Sequence, residues 1–492
     1  MQFLILGGNF RYELEKLCLT FLPFEKFEFL DDLSMIDPQK NRMVAIIKEN
    51  NSELSLSVEL KIDMFSEKRD NKLNAGSSKT DIERSLAVML FDCFLKVTNY
   101  RSPWGILTGV RPAKLMGRLI NTLGKEKAVN YFKNELLVSD KKTNLCLDTY
   151  ISEEHIIEKS KADSFSLYVS IPFCPSRCAY CSFVSHSVDG AKKLIPQYVD
   201  LLIKEIKYTA EIVNRLGLKL LTVYIGGGTP TTLSAEQLTL IMNTIKDSFD
   251  LSNILEYTVE AGRPDTVTKE KLVAIKTGGA SRISINPQTM NDDVLEKIGR
   301  WHTAKQMKEA FLLAREVGFD NINTDLIAGL EGDNLESFKA SVDEIIALNP
   351  ENVTVHSLSM KRASNLSKLN YQFLAKEGEE AAGMVDYALN KLTMAGIYPY
   401  YMYRQSKTIG NLENVGYSKV GYEGLYNVYI MDETHSIIGC GASAVTKLRE
   451  PNGNNIERIF NFKYPYEYIS NFSEMLERKK GITEFYDKYP VD

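Results

Sequence analysis

Between residues 165 and 360, short apolar, β-branched runs alternate with longer stretches whose apolar positions repeat every three to four residues. Ser166–Ile171, Leu220–Ile225, Tyr257–Ala261, Arg282–Asn286, Asn321–Ile327 and Asn352–Leu358 predict strands. Gln197–Leu216, Ser234–Asp247, Thr268–Thr277, Thr303–Val317 and Asn334–Leu348 predict helices between them. This alternation predicts a parallel α/β sheet with βα crossovers, and six βα units form an open, partial barrel. Chemistry in such a fold belongs at the C-terminal ends of the strands.

The flanking regions have a different grain. Met1–Leu6 and Met43–Lys48 predict short strands, and Glu53–Asp63 alternates apolar and polar residues like a half-buried strand. Ser78–Val97 predicts a helix after a serine-rich cap, Arg101–Pro112 a loop, and two further helical segments reach about Ser160. Beyond Lys361 come a long helix (Glu377–Ala395), aromatic strands (Tyr398–Arg404 and Leu425–Met431) and the segment Gly439–Ala444. The expected organisation is an α+β domain over 1–160, the partial barrel over 161–360, and a substrate-covering region over 361–492.

Composition narrows the function classes. The 492 residues hold 59 basic and 64 acidic side chains, a net charge of −5. That balance argues against holding nucleic acid by phosphate neutralisation. No run reaches the roughly 18 apolar residues of a membrane span. The first residues lack the basic n-region of a secretion signal, so a soluble, cytoplasmic protein is expected. Of seven cysteines, Cys18, Cys93, Cys146 and Cys440 are scattered, as reduced and buried thiols usually are.

Cys174, Cys178 and Cys181 instead fall within eight residues, directly after a predicted strand. Thiolates so close repel and oxidise unless a metal neutralises them. Three ligands with one open iron suit a [4Fe–4S] cluster, and His186 as a fourth ligand would make a Cys₃His zinc site. An unligated loop is the plain alternative. The second strand ends in Gly226-Gly-Gly-Thr-Pro-Thr231, where missing side chains let a small polar group approach the backbone. Glu260, Gln288, Arg300 and Asp325 are polar residues at or near later strand ends. Each alone reads as a cap or a structural hydrogen-bonding group, but a carboxylate inside an apolar strand needs partners.

The sequence Cys174-x₃-Cys178-x₂-Cys181, with Tyr180 before the last cysteine, resembles the radical S-adenosylmethionine (SAM) signature. The order of the later motifs resembles the oxygen-independent coproporphyrinogen III oxidase family, in its coproporphyrinogen dehydrogenase-like branch of Gram-positive bacteria. The similarity spans about 165–360, with an echo at Gly439–Ala444. It implies a partial (β/α)6 radical SAM barrel and a [4Fe–4S] cluster on Cys174, Cys178 and Cys181, the catalytic centre. It implies one SAM, with a second left open, contacted by Tyr168, Tyr180, Gly227, Gly228, Thr229, Glu260, Gln288, Arg300 and Asp325. The implied partners are a tetrapyrrole substrate and a low-potential electron donor such as flavodoxin or ferredoxin. The implied reaction is oxidative decarboxylation of coproporphyrinogen III to protoporphyrinogen IX in haem (porphyrin) biosynthesis.

The chain also departs from that family. Ser170 stands where its members commonly carry histidine, and Glu260-Ala-Gly-Arg263-Pro264 replaces Glu-x-Asn-Pro or Glu-x-Asp-Pro. Arg263, Arg362 and Arg404 could pair with a substrate propionate or be surface charges. His302 and His356 read as structural histidines before they read as site residues. Tyr417, Tyr422 and Tyr426 could cover a flat macrocycle, or simply pack. The alternatives to the oxidase are a haem chaperone of the same family, an anaerobic haem-modifying radical SAM enzyme, and a zinc-binding interaction module. The chaperones' His-Asn-x-x-Tyr-Trp element corresponds here to Tyr422–Ile430, without His or Trp.

Overall fold

The computed structural model describes residues 1–50, 52–181, 186–360 and 371–491. The chain forms two compact units. The first comprises Met1–Tyr150, Ser357–Gly383 and Met402–Asn414; the second comprises Ile151–His356, Met384–Tyr401 and Val415–Asp492.

The first unit is built on β1 (Gln2–Leu6), α1 (Arg11–Phe21), β2 (Glu28–Leu30), β3 (Arg42–Asn50), β4 (Glu53–Ile62) and β5 (Phe65–Asn74). The strand order is β2-β1-β3-β4-β5. β1 pairs parallel with β2 and β3, and β3-β4-β5 form an antiparallel meander. Leu54, Leu56, Val58, Leu60 and Ile62 of β4 all turn into the core, as their alternation predicts. α2 (Lys79–Thr98) starts where Ser78 accepts the Asp81 amide, and it buries Leu86, Leu90, Phe91 and Phe94 in the same core. α3 (Pro112–Leu123), α4 (Lys125–Asn130) and α5 (Asp140–Ile157) follow. Within this unit Arg404 is buried, donates to the carbonyls of Leu107 and Gly109, and lies over the Trp104 ring. It clamps a loop and is neither a surface charge nor a free propionate ligand.

The second unit begins with β6 (Ser164–Ile171), β7 (Phe173–Cys174), β8 (His186–Ser187), α6 (Val188–Ala191) and α7 (Ile195–Arg215). Then come β9 (Lys219–Gly227), α8 (Ala235–Ser248), β10 (Glu256–Glu260), α9 (Lys269–Thr277), β11 (Arg282–Ser284), α10 (Asp292–Lys297), α11 (Ala304–Val317), β12 (Ile322–Ala328), α12 (Leu335–Ala347) and β13 (Asn352–Ser357). After α13 (Tyr371–Met394) the remaining elements are β14 (Tyr398–Arg404), β15 (Glu413–Ser418), α14 (Leu425–Asp432), β16 (Ser436–Cys440), β17 (Val445–Arg449), β18 (Ile456–Phe460), α15 (Pro465–Ser470), α16 (Phe472–Arg478) and α17 (Gly481–Lys488).

One sheet runs β14-β15-β13-β12-β11-β10-β9-β6-β16-β17-β18. Neighbours from β16 through β12 pair parallel. This is the partial α/β barrel that the alternation predicts. Its helices start at polar caps: Ser234 with Gln237 and Thr303 with Gln306 form reciprocal capping boxes, and Asn334 accepts the Ser337 amide. The segment predicted as a strand over Leu425–Met431 is the helix α14. Its buried residues Leu425, Tyr426, Val428 and Tyr429 follow a helical period, Glu256 accepts the Leu425 amide at 2.5 Å, and Glu433 ends it in the left-handed region.

Candidate functional site

The cysteine loop grows from the C-terminal end of β6. Gly228 donates its amide to the Ile171 carbonyl at 2.8 Å, and Thr229 donates to Phe173 at 2.7 Å. The glycine segment is thereby bonded to the root of the loop. Its shape explains its composition. A Cβ on Gly228 would lie 2.6 Å from the Phe173 oxygen, and Gly227 has φ +104°, a conformation that favours glycine. Ser170 is buried beside Gly227, where a Cβ would come within 2.9 Å of its hydroxyl oxygen.

Cys174, Cys178 and Cys181 are partly exposed, whereas the other four cysteines are buried. Burial pushes the Cys93 and Cys440 thiols up to about 12. Thr229 Oγ1 lies 3.5 Å from Cys174 Sγ. Among the described residues no group of three or more His, Cys, Asp or Glu side chains is placed to hold a metal ion. Three partly exposed thiols in one loop are, by their chemistry, the donor set of an iron–sulfur cluster with one open iron. The side chain of His186 and all of Arg362 lie outside the described residues.

Two guanidinium groups hold the loop. Arg300 is buried; its Nε donates to Tyr180 Oη at 3.1 Å, and its Nη1 to the carbonyls of Gly262 and Asn286 at 3.2 and 2.5 Å. Its charge also acts on Cys178. Arg263 is likewise buried, paired with Asp265, and lies 3.7 Å from Cys178 Sγ. It is therefore neither a surface charge nor free to meet a propionate. His302, next to these arginines, is pushed to about 3 by burial first and by Arg300 next, so it stays neutral.

Glu260 organises a second group at the same strand ends. Its Oε1 accepts from Tyr224 Oη at 2.5 Å, and the Gly227 amide also donates to it. Burial raises its carboxyl to about 7, helped by the Asp325 charge and opposed by Tyr224 and Arg282. Tyr168, Tyr224 and Tyr426 stack, with Tyr224 and Tyr426 centroids 4.5 Å apart. Tyr426 thus packs into the barrel from α14, Tyr417 is buried in β15, and Tyr422 is exposed.

Asp325 lies inside β12. Burial raises its carboxyl, but its interactions with His356, Asn323 and Thr354 outweigh that and hold it below the usual range. Asn323 Nδ2 is 2.8 Å away and His356 Nε2 3.9 Å. Gln288 has φ +72°, donates its amide to the Asp325 carbonyl and accepts from Ile327. Holding a non-glycine residue there costs about 1–2 kcal/mol, offset by the bonds to β12 that Gln288 rejoins after β11 has ended.

The structure therefore brings Tyr180, Arg300 and Cys178 together on one side, and Tyr168, Gly227, Glu260 and Asp325 on the other. Thr229 touches Cys174, Gly228 underlies the loop, and Gln288 is joined to Asp325. Three participants carried no strong sequence signal. Tyr224 lies in an otherwise apolar strand, His356 reads as structural, and Arg282 reads as a strand residue although its buried side chain carries a charge that acts on Glu260. A charge at the start of a short apolar run was the available clue to Arg282.

Residues 168–345 match the radical SAM superfamily. The chain is similar to the oxygen-independent coproporphyrinogen-III oxidase-like protein HemZ of Bacillus subtilis, 37% identical over 413 residues, which cover 83% of this chain and 82% of that protein. It is also similar to the heme chaperone HemW of the same bacterium, 35% identical over 285 residues, or 56% of this chain and 70% of that protein. The solved coproporphyrinogen III oxidase HemN of Escherichia coli, a radical SAM enzyme, shares the fold at a TM-score of 0.50 and 21% identity, covering 66% of this chain and 73% of that one.

Proposed function

This chain belongs to the oxygen-independent coproporphyrinogen-III oxidase-like family of the radical SAM superfamily, and from that premise we propose that it decarboxylates coproporphyrinogen III oxidatively. The family's cofactors are a [4Fe–4S] cluster and SAM. In this reading Cys174, Cys178 and Cys181 hold the cluster. Gly227, Gly228, Thr229, Glu260, Gln288, Arg300 and Asp325, with Tyr168 and Tyr180, form the SAM pocket. When bound, the cofactors supply reductive cleavage of a sulfonium and a carbon radical that removes a hydrogen atom.

The protein's own part is placement and charge. Glu260 and Asp325 offer carboxylates to a ligand's ammonium or hydroxyls, and Arg300 offers a guanidinium to a carboxylate. The stacked Tyr168, Tyr224 and Tyr426 give an apolar wall that keeps water from a radical. Each vinyl group would require loss of one hydrogen atom, one CO₂ and one electron from a propionate, with a low-potential donor priming the cluster. Residues 361–492 are assigned to covering the substrate, and residues 1–160 keep an open role.

One observation carries the substrate choice. The similarity to the oxidase-like relative spans 83% of this chain, against 42–67% for the heme chaperones it resembles. The chaperones' His and Trp are also missing from Tyr422–Ile430, which here runs into α14 from Leu425 on. The test incubates anaerobically reconstituted protein with SAM, a low-potential reductant and coproporphyrinogen III. Stepwise loss of two carboxyl groups by mass spectrometry, abolished in Cys178→Ala, is expected. Formation of 5′-deoxyadenosine with an intact tetrapyrrole would overturn the substrate. Stable haem binding without SAM cleavage would move the protein to the chaperones.

A further inference from the structure

Arg263 directs one of its nitrogens at the cysteine loop. Its Nε and Nη2 donate to the two carboxylate oxygens of Asp265, each at 3.0 Å, a fork that fixes the plane of the guanidinium. Nη1 is left outside the fork with two hydrogens to give. It lies 3.1 Å from Ser176 Oγ and 3.7 Å from Cys178 Sγ. Ser176 is itself committed, donating to the Gly299 carbonyl at 2.8 Å. Arg263 is 2% exposed, so water does not compete for these bonds.

We propose that Arg263 sets the reduction potential of the cluster held by Cys174, Cys178 and Cys181, through an N–H···S bond to Cys178. The proposal rests on the cluster reading above. Reduction adds negative charge to a cluster, and N–H donors to its sulfurs stabilise the more negative state and raise the potential. The Asp265 fork offsets the net charge of Arg263 but leaves the N–H dipole on sulfur. The effect is therefore local to Cys178 and depends on orientation.

The experiment is an EPR-monitored redox titration of anaerobically reconstituted full-length protein without SAM, with iron content measured alongside. R263Q is expected to carry the wild-type iron content and to titrate at a more negative midpoint. Each tenfold fall in the one-electron reduction equilibrium reads as about 59 mV. R263K, which keeps the cation but not the fork, is expected to fall between. A purely structural Arg263 would alter iron uptake or melting temperature and leave the midpoint of loaded protein unchanged; that result in R263Q overturns the proposal. If R263Q takes up no iron, R263K carries the same test, and an unchanged midpoint overturns it there. Wild-type protein that takes up no cluster at Cys174, Cys178 and Cys181 would overturn the ligand reading itself, a distinguishable failure.

Discussion

Thr229 donates its backbone amide to the carbonyl of Phe173 at 2.7 Å, so the glycine-rich end of β9 is hydrogen-bonded to the residue before the first loop cysteine. The two motifs therefore act as one piece of backbone. A change at Gly228 reaches the cysteines without touching them.

Gly228→Ala tests this coupling. Its methyl group would meet the Ile171 and Phe173 oxygens at 2.8 and 2.6 Å, and both are backbone atoms that cannot swing aside. The strand end must shift, at a cost of about 1–3 kcal/mol. The expected outcome is a lower melting temperature and a several-fold loss of iron uptake. Gly262→Ala is the control. Its Cβ would meet only Asn286 Nδ2 at 3.6 Å, an ordinary contact, and wild-type iron content is expected.

Glu260 and His435 make opposing contributions to stability over nearly the same pH range. Glu260 is raised to about 7 by burial, so the folded chain holds a proton that the unfolded chain releases above its ordinary 4.5. Its stabilisation is complete below 4.5 and is lost as pH rises to 7, up to about 3 kcal/mol. His435 bridges Ser160 and Ser166 and is pushed to about 3 by burial first and the Arg449 charge second. Its stabilisation is complete above 6.5 and is lost as pH falls, about 2 kcal/mol by pH 5. Denaturant midpoints between pH 5 and 6.5 should show the two slopes cancelling as far as these groups are concerned. Glu260→Gln should make stability rise with pH there, and His435→Gln should make it fall. Parallel curves in both variants would refute the assignments.

Proton release on ligand binding is the functional counterpart. A cationic ligand at Glu260 favours the ionised carboxylate, so SAM affinity should increase several-fold between pH 6 and 8. Calorimetry in buffers of different ionisation enthalpy should show up to one proton released near pH 6. Glu260→Gln should abolish both effects.

The barrel was legible because short β-branched strands alternate with longer helical stretches that start at polar caps, and the strand starts and ends agree to within a few residues. Local pattern failed where neighbours decide. β5 carries Glu67, Lys68, Arg69, Asp70, Asn71 and Lys72 in its middle and shows no apolar alternation, yet it pairs with β4 from Glu53 to Ile62. Leu425–Met431 is aromatic and β-branched enough to predict a strand, but its packing makes it a helix. In the site, the cysteines, glycines and strand-end carboxylates follow from motif and position. The Arg300 bond to Tyr180 spans 120 residues, and the positive φ of Gln288 is imposed by β12, so neither has a local signature. Arg404 and Arg263 read as candidate ligands because a sequence shows a charge but not the partner that neutralises it.

Lys479 and Glu205 supply the last prediction. They form an ion pair at 3.0 Å with both side chains fully buried. Lys479 also donates to the Gly439 carbonyl, while Glu205 accepts from the Gly441 amide, Asn461 and Tyr468. Tyr198 continues the network, accepting from the Ala442 amide and donating to the Ser170 carbonyl at 2.8 Å. The C-terminal segment is thus wired to the strand that ends in the cysteine loop. Lys479→Met leaves a buried carboxylate without its cation and should cost about 3–5 kcal/mol, read as a lower melting temperature. Adding Glu205→Gln removes the stranded charge and keeps an acceptor for the Gly441 amide, so the double variant should regain most of that loss. Additive losses in this double-mutant cycle would show that the pair is not coupled and that the segment is held by packing alone.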